Sequence, residues 1–513
     1  MKNKVFVVGL DGATLDILLN LANRGLLKSF SWIIREGVYG KLKSTMPPST
    51  CPAWVSSVTG VNPGKHGILD FINSVDLIKK RLFFADSQTR KCKAIWNILS
   101  EMGKKIIVMN VPVTYPPERV HGVMVSGMLT PGLKSNFTYP RDLKDELIDL
   151  GYKIDVTDTM AEMASLYKSG EKEMLIKLRE LIKCRVEAAN YLIESFDWDF
   201  FFMVFVALDR LHHFYWRYLD TSHIKFIEVK SERLYPLILN CYLEIDRFIS
   251  SLLRKIGKDT TIIIYSDHGF KALNKFFLTN IFLKRKKMLY LKEKAIGLSL
   301  SSESVVEWLS RRGLWRHLKD TLIPLKRRLA FGLPPSKSFY DLFDLDPTQT
   351  KAFQVGYNYV RLNREIISDD QRDKILNEVV QSLSDIKIRR FIRDIYRREE
   401  VYHGPYTGQA PEIILSPAKG CLATQLMPKS EQIYIRYGED VEANIATLMW
   451  SGDHDIDGII MMAGPKIRSG FEIEGANIMD ITPTILHIFD EPIPEYMDGR
   501  VLLDAFSERK GGD

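Results

Sequence analysis

The chain has 513 residues, 45% hydrophobic and 26% charged, a balance that fits a folded globular protein and excludes a disordered or collagen-like one. A formal net charge of +7 is modest for this length, and no nucleic-acid partner is expected from it. Five cysteines, odd in number and never in a C-x-x-C pair, argue against a disulfide framework and a thiolate zinc site and for a reducing compartment. The N-terminal "MKNKVFVVGLDG" carries too short an apolar run for a secretory leader and reads as a β-strand. The longest apolar runs are strand-sized, so the expected location is cytoplasmic.

In chain order, near-continuous β-branched or aromatic runs appear at 4–12, 104–112, 201–209 and 260–269, and later at 410–417 and 457–465. Runs without alternation mean strands buried on both faces, the habit of parallel sheets covered by helices. Helical periodicity lies between them, around 171–195 and 231–256. The expected fold is therefore α/β: a doubly wound, mostly parallel central sheet with helices on both faces. In such sheets ligands bind beyond the carboxyl ends of the strands, and the residues waiting there are Asp11, Asp209 and Asp267.

One segment breaks the rhythm. Residues 281–340 hold fourteen Lys/Arg against four Asp/Glu, so the rest of the chain is slightly acidic. The expected division is a first core part at 1–280, a basic, helical insertion at 281–344, a second core part at 345–505 and a flexible tail at 506–513. The insertion, with Trp308 and Trp315 among its charges, has three readings. It is a lid that concentrates anionic substrate, a solvated helix pair covering apolar surface, or a contact with anionic membrane.

Four strings offer carboxylates or imidazoles that a core does not need. Asp11 ends a buried run, a position that most often caps the following helix. In "ALDRLHHFYW", Asp209 and His213 stand at i and i+4, on one face of a helical turn and within reach of one cation. In "YSDHGF", Asp267 and His268 can both reach a metal only if the backbone turns, which Gly269 permits. In "SGDHDIDG", His454 is flanked by aspartates without the EF-hand spacing. Together these supply N/O ligands suited to a pair of Zn²⁺ ions, or to Mn²⁺. Two such ions clamp the attacking and leaving oxygens of a phosphoryl displacement. The "PPSTCPAW" stretch offers hydroxyls to attack with, at Ser49 and Thr50. "GVNPGKHG" lacks P-loop spacing and reads as a structural turn.

The strings "GLDGATLD", "PPSTCPAWVSSVTGVNPGKHGILDF", "ALDRLHHFYW", "YSDHGF", "SGDHDIDGII" and "DITPTILHIFDEPIPEYMDGR" resemble the alkaline phosphatase superfamily. Within it the resemblance is to the type I phosphodiesterase/nucleotide pyrophosphatase branch, and to its bacterial and archaeal group of predicted phosphohydrolases or phosphomutases. The resemblance covers nearly the whole chain. It implies Thr50 as nucleophile and ligand of one metal, with Asp11, Asp267 and His268, and Asp209, His213 and His454 around the other. Ser49 is the fallback nucleophile. The backbone N–H of Cys51, or an Arg or Lys from elsewhere, is left to stabilise a phosphate oxygen. Cys51-Pro52-Ala53-Trp54 does not fit the sulfatase frame. The implied activity is two-metal hydrolysis of a phosphodiester or phosphoanhydride in an anionic phosphorylated small molecule, through a phosphothreonine intermediate. The alternatives are a phosphomutase of the same superfamily and a non-catalytic, membrane-peripheral protein.

Overall fold

The computed structural model describes residues 3–157, 160–292, 339–340, 342–430, 432–439 and 446–507. Nine strands build the central sheet: β1 (Lys4–Leu10), β2 (Val38–Lys43), β3 (Ile106–Met109), β4 (Gly122–Val125), β5 (Thr138–Tyr139), β6 (Phe200–Phe205), β7 (Thr260–Tyr265), β8 (Asp457–Ala463) and β9 (Phe471–Asn477). Their order is β9-β2-β8-β7-β1-β6-β3-β4-β5. Pairing is parallel except at β8, antiparallel to β2 and β7, and at β5, antiparallel to β4. The expected α/β architecture with a mostly parallel sheet is therefore present.

Both faces of the sheet are covered, and register shows how. Phe6 of β1 pairs with Phe201 of β6, and Val7 with Phe202, so successive residues point to opposite faces. Phe6 stacks on Phe201 at 4.4 Å between ring centroids and lies 6.4 Å from Phe248 of a long helix. Phe202, on the other face, lies 6.2 Å from Trp54. Two helices thus sandwich the sheet: α1 (Thr50–Thr59), carrying Trp54, and α4 (Glu228–Lys255), carrying Phe248. Between them in sequence come α2 (Glu171–Ser195) and α3 (Ala207–Tyr215). Each fully buried large side chain contributes about 1.5–3 kcal/mol, which explains why strands β1, β6 and β7 contain almost nothing else.

Much of the later chain lies outside the central sheet. Hydrophobic residues from Leu273 to Leu448, joined by Ile72 and Leu77 of an early hairpin, form a second core. "APEIILSP", expected in the central sheet, instead forms the strand Ile413–Pro417 of a separate antiparallel sheet with Tyr359–Leu362 and Ile392–Arg397. An apolar run reports burial on two faces but not the sheet it joins, which is why the pattern misled. The chain returns to the central sheet only at β8. Most of the basic insertion, with Trp308 and Trp315, lies outside the described residues. Among the described residues no helix is long and apolar enough to cross a membrane.

Glu171 ties three elements together at the edge of the core. It accepts hydrogen bonds from Arg217 Nη2 at 2.6 Å, Tyr218 Oη at 2.6 Å and Tyr167 Oη at 2.9 Å, and pairs with Lys230. Burial raises its pKa, but hydrogen bonds from Lys230, Tyr218 and Arg217 outweigh this and hold it at about 2. A depressed carboxylate stabilises the fold above its unfolded pKa, about 4.3, and loses that contribution as pH falls through the folded value. Urea unfolding midpoints should therefore decline more steeply in the wild type than in Glu171→Gln between about pH 4.5 and pH 2. Parallel curves would remove Glu171 as a contributor to acid sensitivity.

Candidate active site

Parallel pairing of β7, β1 and β6 brings their carboxyl ends side by side. Asp11 follows β1 directly, Asp267 lies two residues beyond β7, and Asp209 sits in the first turn of α3 just after β6. The three carboxylates are 0–1% exposed. Helix α3 also carries His213, so Asp209 and His213 do stand one helical turn apart. His454 arrives from the far end of the chain on strand Gly452–Asp455, which pairs antiparallel with Gly269–Ala272 and sets His454 opposite Phe270. This stacks the His454 ring on that of His268 at 3.6 Å.

Two glycines make the approach possible. Gly12 has φ +70°, and a Cβ there would lie 2.5 Å from the Phe270 ring. Its N–H donates to Asp267 Oδ1 at 3.2 Å. Gly269, expected to allow a turn, serves differently: its φ is not left-handed, and a Cβ would lie 2.0 Å from the Asp457 carbonyl oxygen. It is the passing strand that requires a glycine there.

Imidazole orientation is set by backbone carbonyls, which can only accept. Nδ1 of His213 donates to Gly452 O at 3.0 Å, that of His454 to Pro48 O at 2.9 Å and that of His268 to Gly269 O at 3.1 Å. All three Nε2 atoms therefore face inward as ligand atoms when the rings are neutral. Those of His213 and His454 lie 3.1 Å apart, and 3.4 and 3.3 Å from Asp209 Oδ1. Nε2 of His268 is 3.2 Å from Asp267 Oδ2, 3.7 Å from Asp11 Oδ1 and 3.4 Å from Thr50 Oγ1. Among the described residues two groups have ligand atoms close enough to share a cation: Asp209, His213 and His454, and Asp11, Asp209 and His268. Asp209, expected in one group alone, stands between the two.

The electrostatics call for cations. Asp11 Oδ1, Asp209 Oδ1 and Asp267 Oδ2 are buried without a hydrogen-bond donor. Burial, then repulsion from Asp209, lifts the Asp11 pKa to about 8. Burial and the other two carboxylates push Asp267 well above the usual range. In Asp209 the burial penalty is outweighed by His213 and His454, which hold it well below. Oxygen and imidazole donors of this kind fit divalent Zn²⁺ or Mn²⁺.

Thr50 opens α1, with Ser49 as its N-cap. The Ser49 hydroxyl donates to Asp70 Oδ1 at 3.3 Å, while Thr50 faces His268. The Cys51 N–H belongs to the first turn, where a helix leaves donors without intrahelical acceptors. "GVNPGKHG" is structural, as expected: Asn62 Oδ1 accepts from the Gly64 N–H at 2.8 Å and caps the short helix Pro63–His66.

The profile of the family described as type I phosphodiesterase/nucleotide pyrophosphatase matches residues 5–430, most of the chain, a range that ends before His454. The chain belongs to that family. By membership it is a phosphoester hydrolase of the alkaline phosphatase superfamily. Solved structures share the family fold. Murine ectonucleotide pyrophosphatase/phosphodiesterase 5, in an inactive variant with AMP, aligns with 14% identity and TM-score 0.55 over 99% of this chain and 100% of its own. The human protein of that name aligns with 15% identity and TM-score 0.54 over 98% and 100%. Phosphonoacetate hydrolase from Sinorhizobium meliloti, with phosphonoformate, aligns with 13% identity and TM-score 0.55 over 95% of both chains. No curated protein sequence matches significantly.

Several residues around the family site were not singled out from sequence. Trp54 donates Nε1–H to Asp11 Oδ2 at 3.2 Å, and the helix that follows, Leu15–Asn23, has Thr14 and not Asp11 at its N-cap. Trp450 stacks on His213 at 3.8 Å. Tyr357 reaches in from the second core: its N–H donates to Asp70 at 2.8 Å, its hydroxyl to Asp453 at 2.8 Å, and its ring lies 5.1 Å from that of His454. Trp54 sits in the "PPSTCPAW" string and was findable there. Tyr357 carries no local signal at all.

Proposed function

We propose that the chain is a two-metal phosphohydrolase that cleaves a phosphodiester or phosphoanhydride through a phosphothreonine at Thr50. The observation that carries this reading is one hydroxyl, Thr50 Oγ1, set 3.4 Å from an inward-facing imidazole beside three undonated buried carboxylate oxygens. Asp11, Asp267, His268 and Thr50 would hold one ion, and Asp209, His213 and His454 the other, with Asp209 near enough to serve both. Bound there, divalent ions supply charge stabilisation for the attacking and leaving oxygens. Thr50 Oγ1 gives up its proton to solvent water and attacks phosphorus. The bond to the ester or anhydride oxygen breaks, and that oxygen leaves with its own part of the substrate. Water then hydrolyses the phosphothreonine, releasing the phosphoryl product and restoring the Thr50 hydroxyl. The Cys51 N–H is the backbone donor for a phosphoryl oxygen. The AMP held by the murine structure supports an anionic phosphorylated small molecule as substrate. Five free cysteines support a reducing, cytoplasmic setting.

The test is metal content beside turnover. Purified protein should carry about two divalent ions per chain. Chelation should silence hydrolysis of a nitrophenyl phosphodiester, and Zn²⁺ or Mn²⁺ should restore it. Full activity in metal-free protein would falsify the mechanism.

A further inference from the structure

Asp209 belongs to both ligand groups, and the oxygen it turns to His213 and His454 is Oδ1. The other is held by the next residue: Arg210 Nη1 donates to Asp209 Oδ2 at 2.8 Å, leaving Oδ1 toward His213 and His454. The guanidinium is not free to follow Asp209, because its Nη2 donates to Asp155 Oδ2 at 3.1 Å. Asp155 is fixed in turn. Its Oδ1 accepts from the Val156 N–H at 2.7 Å. The two carbonyls before it, of Lys153 and Ile154, are clamped by Arg185 of α2. Arg185 is itself 1% exposed, with the Tyr152 ring 4.4 Å from its guanidinium. The path from Arg185 through the Lys153 and Ile154 carbonyls, Asp155 and Arg210 thus ends on Asp209 Oδ2 and leaves Oδ1 to the imidazoles of His213 and His454.

Stability alone does not call for such a chain. Buried ion pairs seldom outperform apolar side chains of the same volume, because desolvation cancels most of the attraction. Orientation does call for it. A carboxylate with one oxygen pinned presents the other in a fixed direction, and partners behind metal ligands commonly set affinity this way. An arginine fork can hold two carboxylates at once with defined geometry; a lysine ammonium, as a point charge, holds them loosely.

We infer that Arg210, anchored by Asp155, is a positioning residue that aims Asp209 Oδ1 between the two ligand groups. This rests on the metal-dependent reading above. The test is divalent-ion affinity, measured for Mn²⁺ by competition with a chromogenic chelator, alongside the melting temperature of the metal-free protein and steady-state kinetics. Arg210→Met should weaken Mn²⁺ binding about ten- to a hundredfold. Its lost turnover should return in part as Mn²⁺ is raised. Arg210→Lys should fall between the two, and Asp155→Asn should shift affinity in the same direction by less. A lower melting temperature with unchanged Mn²⁺ affinity would mean a structural role and overturn the inference. A raised KM with unchanged affinity would mean a substrate contact, and would overturn it too. Should Arg210→Met fail to fold, Asp155→Asn decides: unchanged affinity there removes the anchor and the inference with it. Wild-type protein that binds no Mn²⁺ would instead remove the functional reading; tight binding by wild type and variants alike removes only this one.

Discussion

Thr50→Ala is expected to abolish turnover, lowering it by roughly four orders of magnitude or more, because it removes the proposed nucleophile. Thr50 is buried at the first position of α1, and its replacement by alanine keeps helix propensity and removes only a hydroxyl and a methyl. The fold should survive, and most of the bound metal should too, since the carboxylates and imidazoles remain. Thr50→Ser keeps the attacking oxygen and should keep part of the rate. Ser49→Ala loses a hydrogen bond to Asp70, not the nucleophile, and should cost far less. A near-wild-type rate in Thr50→Ala, measured on a nitrophenyl diester, would sink the assignment.

Asp267→Ala and His454→Ala should each lower the rate by several orders of magnitude, through different ions. Asp267 also accepts the Gly12 N–H, so its removal perturbs the turn after β1 as well as the charge. Asp267→Asn separates these effects: it retains an acceptor for Gly12 and removes the negative charge. If the charge is what matters, the asparagine variant should be nearly as impaired as the alanine one, with about one divalent ion lost per chain. His454→Ala should lose an ion while keeping the Thr50–His268 pair. Either variant keeping both ions and a rate within about tenfold of wild type would remove that residue from the ligand set.

Much of this arrangement was legible before any coordinates. Buried β-branched runs announced the parallel sheet, and the carboxylates read at the ends of its strands do come together there. The spacing of Asp209 and His213 announced a helical face. Other features depend on distances that no string records. Asp209 serves both groups only because β6 neighbours β1, and Asp155 reaches Arg210 across fifty-five positions of chain. His454 looked like one aspartate-flanked loop residue among many until its strand paired with the one after His268. The second core was missed because its buried strands have the same composition as those of the central sheet.

The position of β8 has a consequence for how the protein is made. This strand lies between β2 and β7, yet about two hundred residues separate it from β7 in the chain. On a growing polypeptide β2 and β7 are complete long before their shared neighbour exists. Each then presents an open row of amide and carbonyl groups, the kind of edge that recruits strands from other chains. The intervening second core has time to fold first, as domains do during synthesis. The strand that fills the gap is the same one that trails His454 into place. Completion of the sheet and the arrival of His454 beside Asp209 and His213 are therefore one late event, and a chain interrupted before residue 452 would lack both.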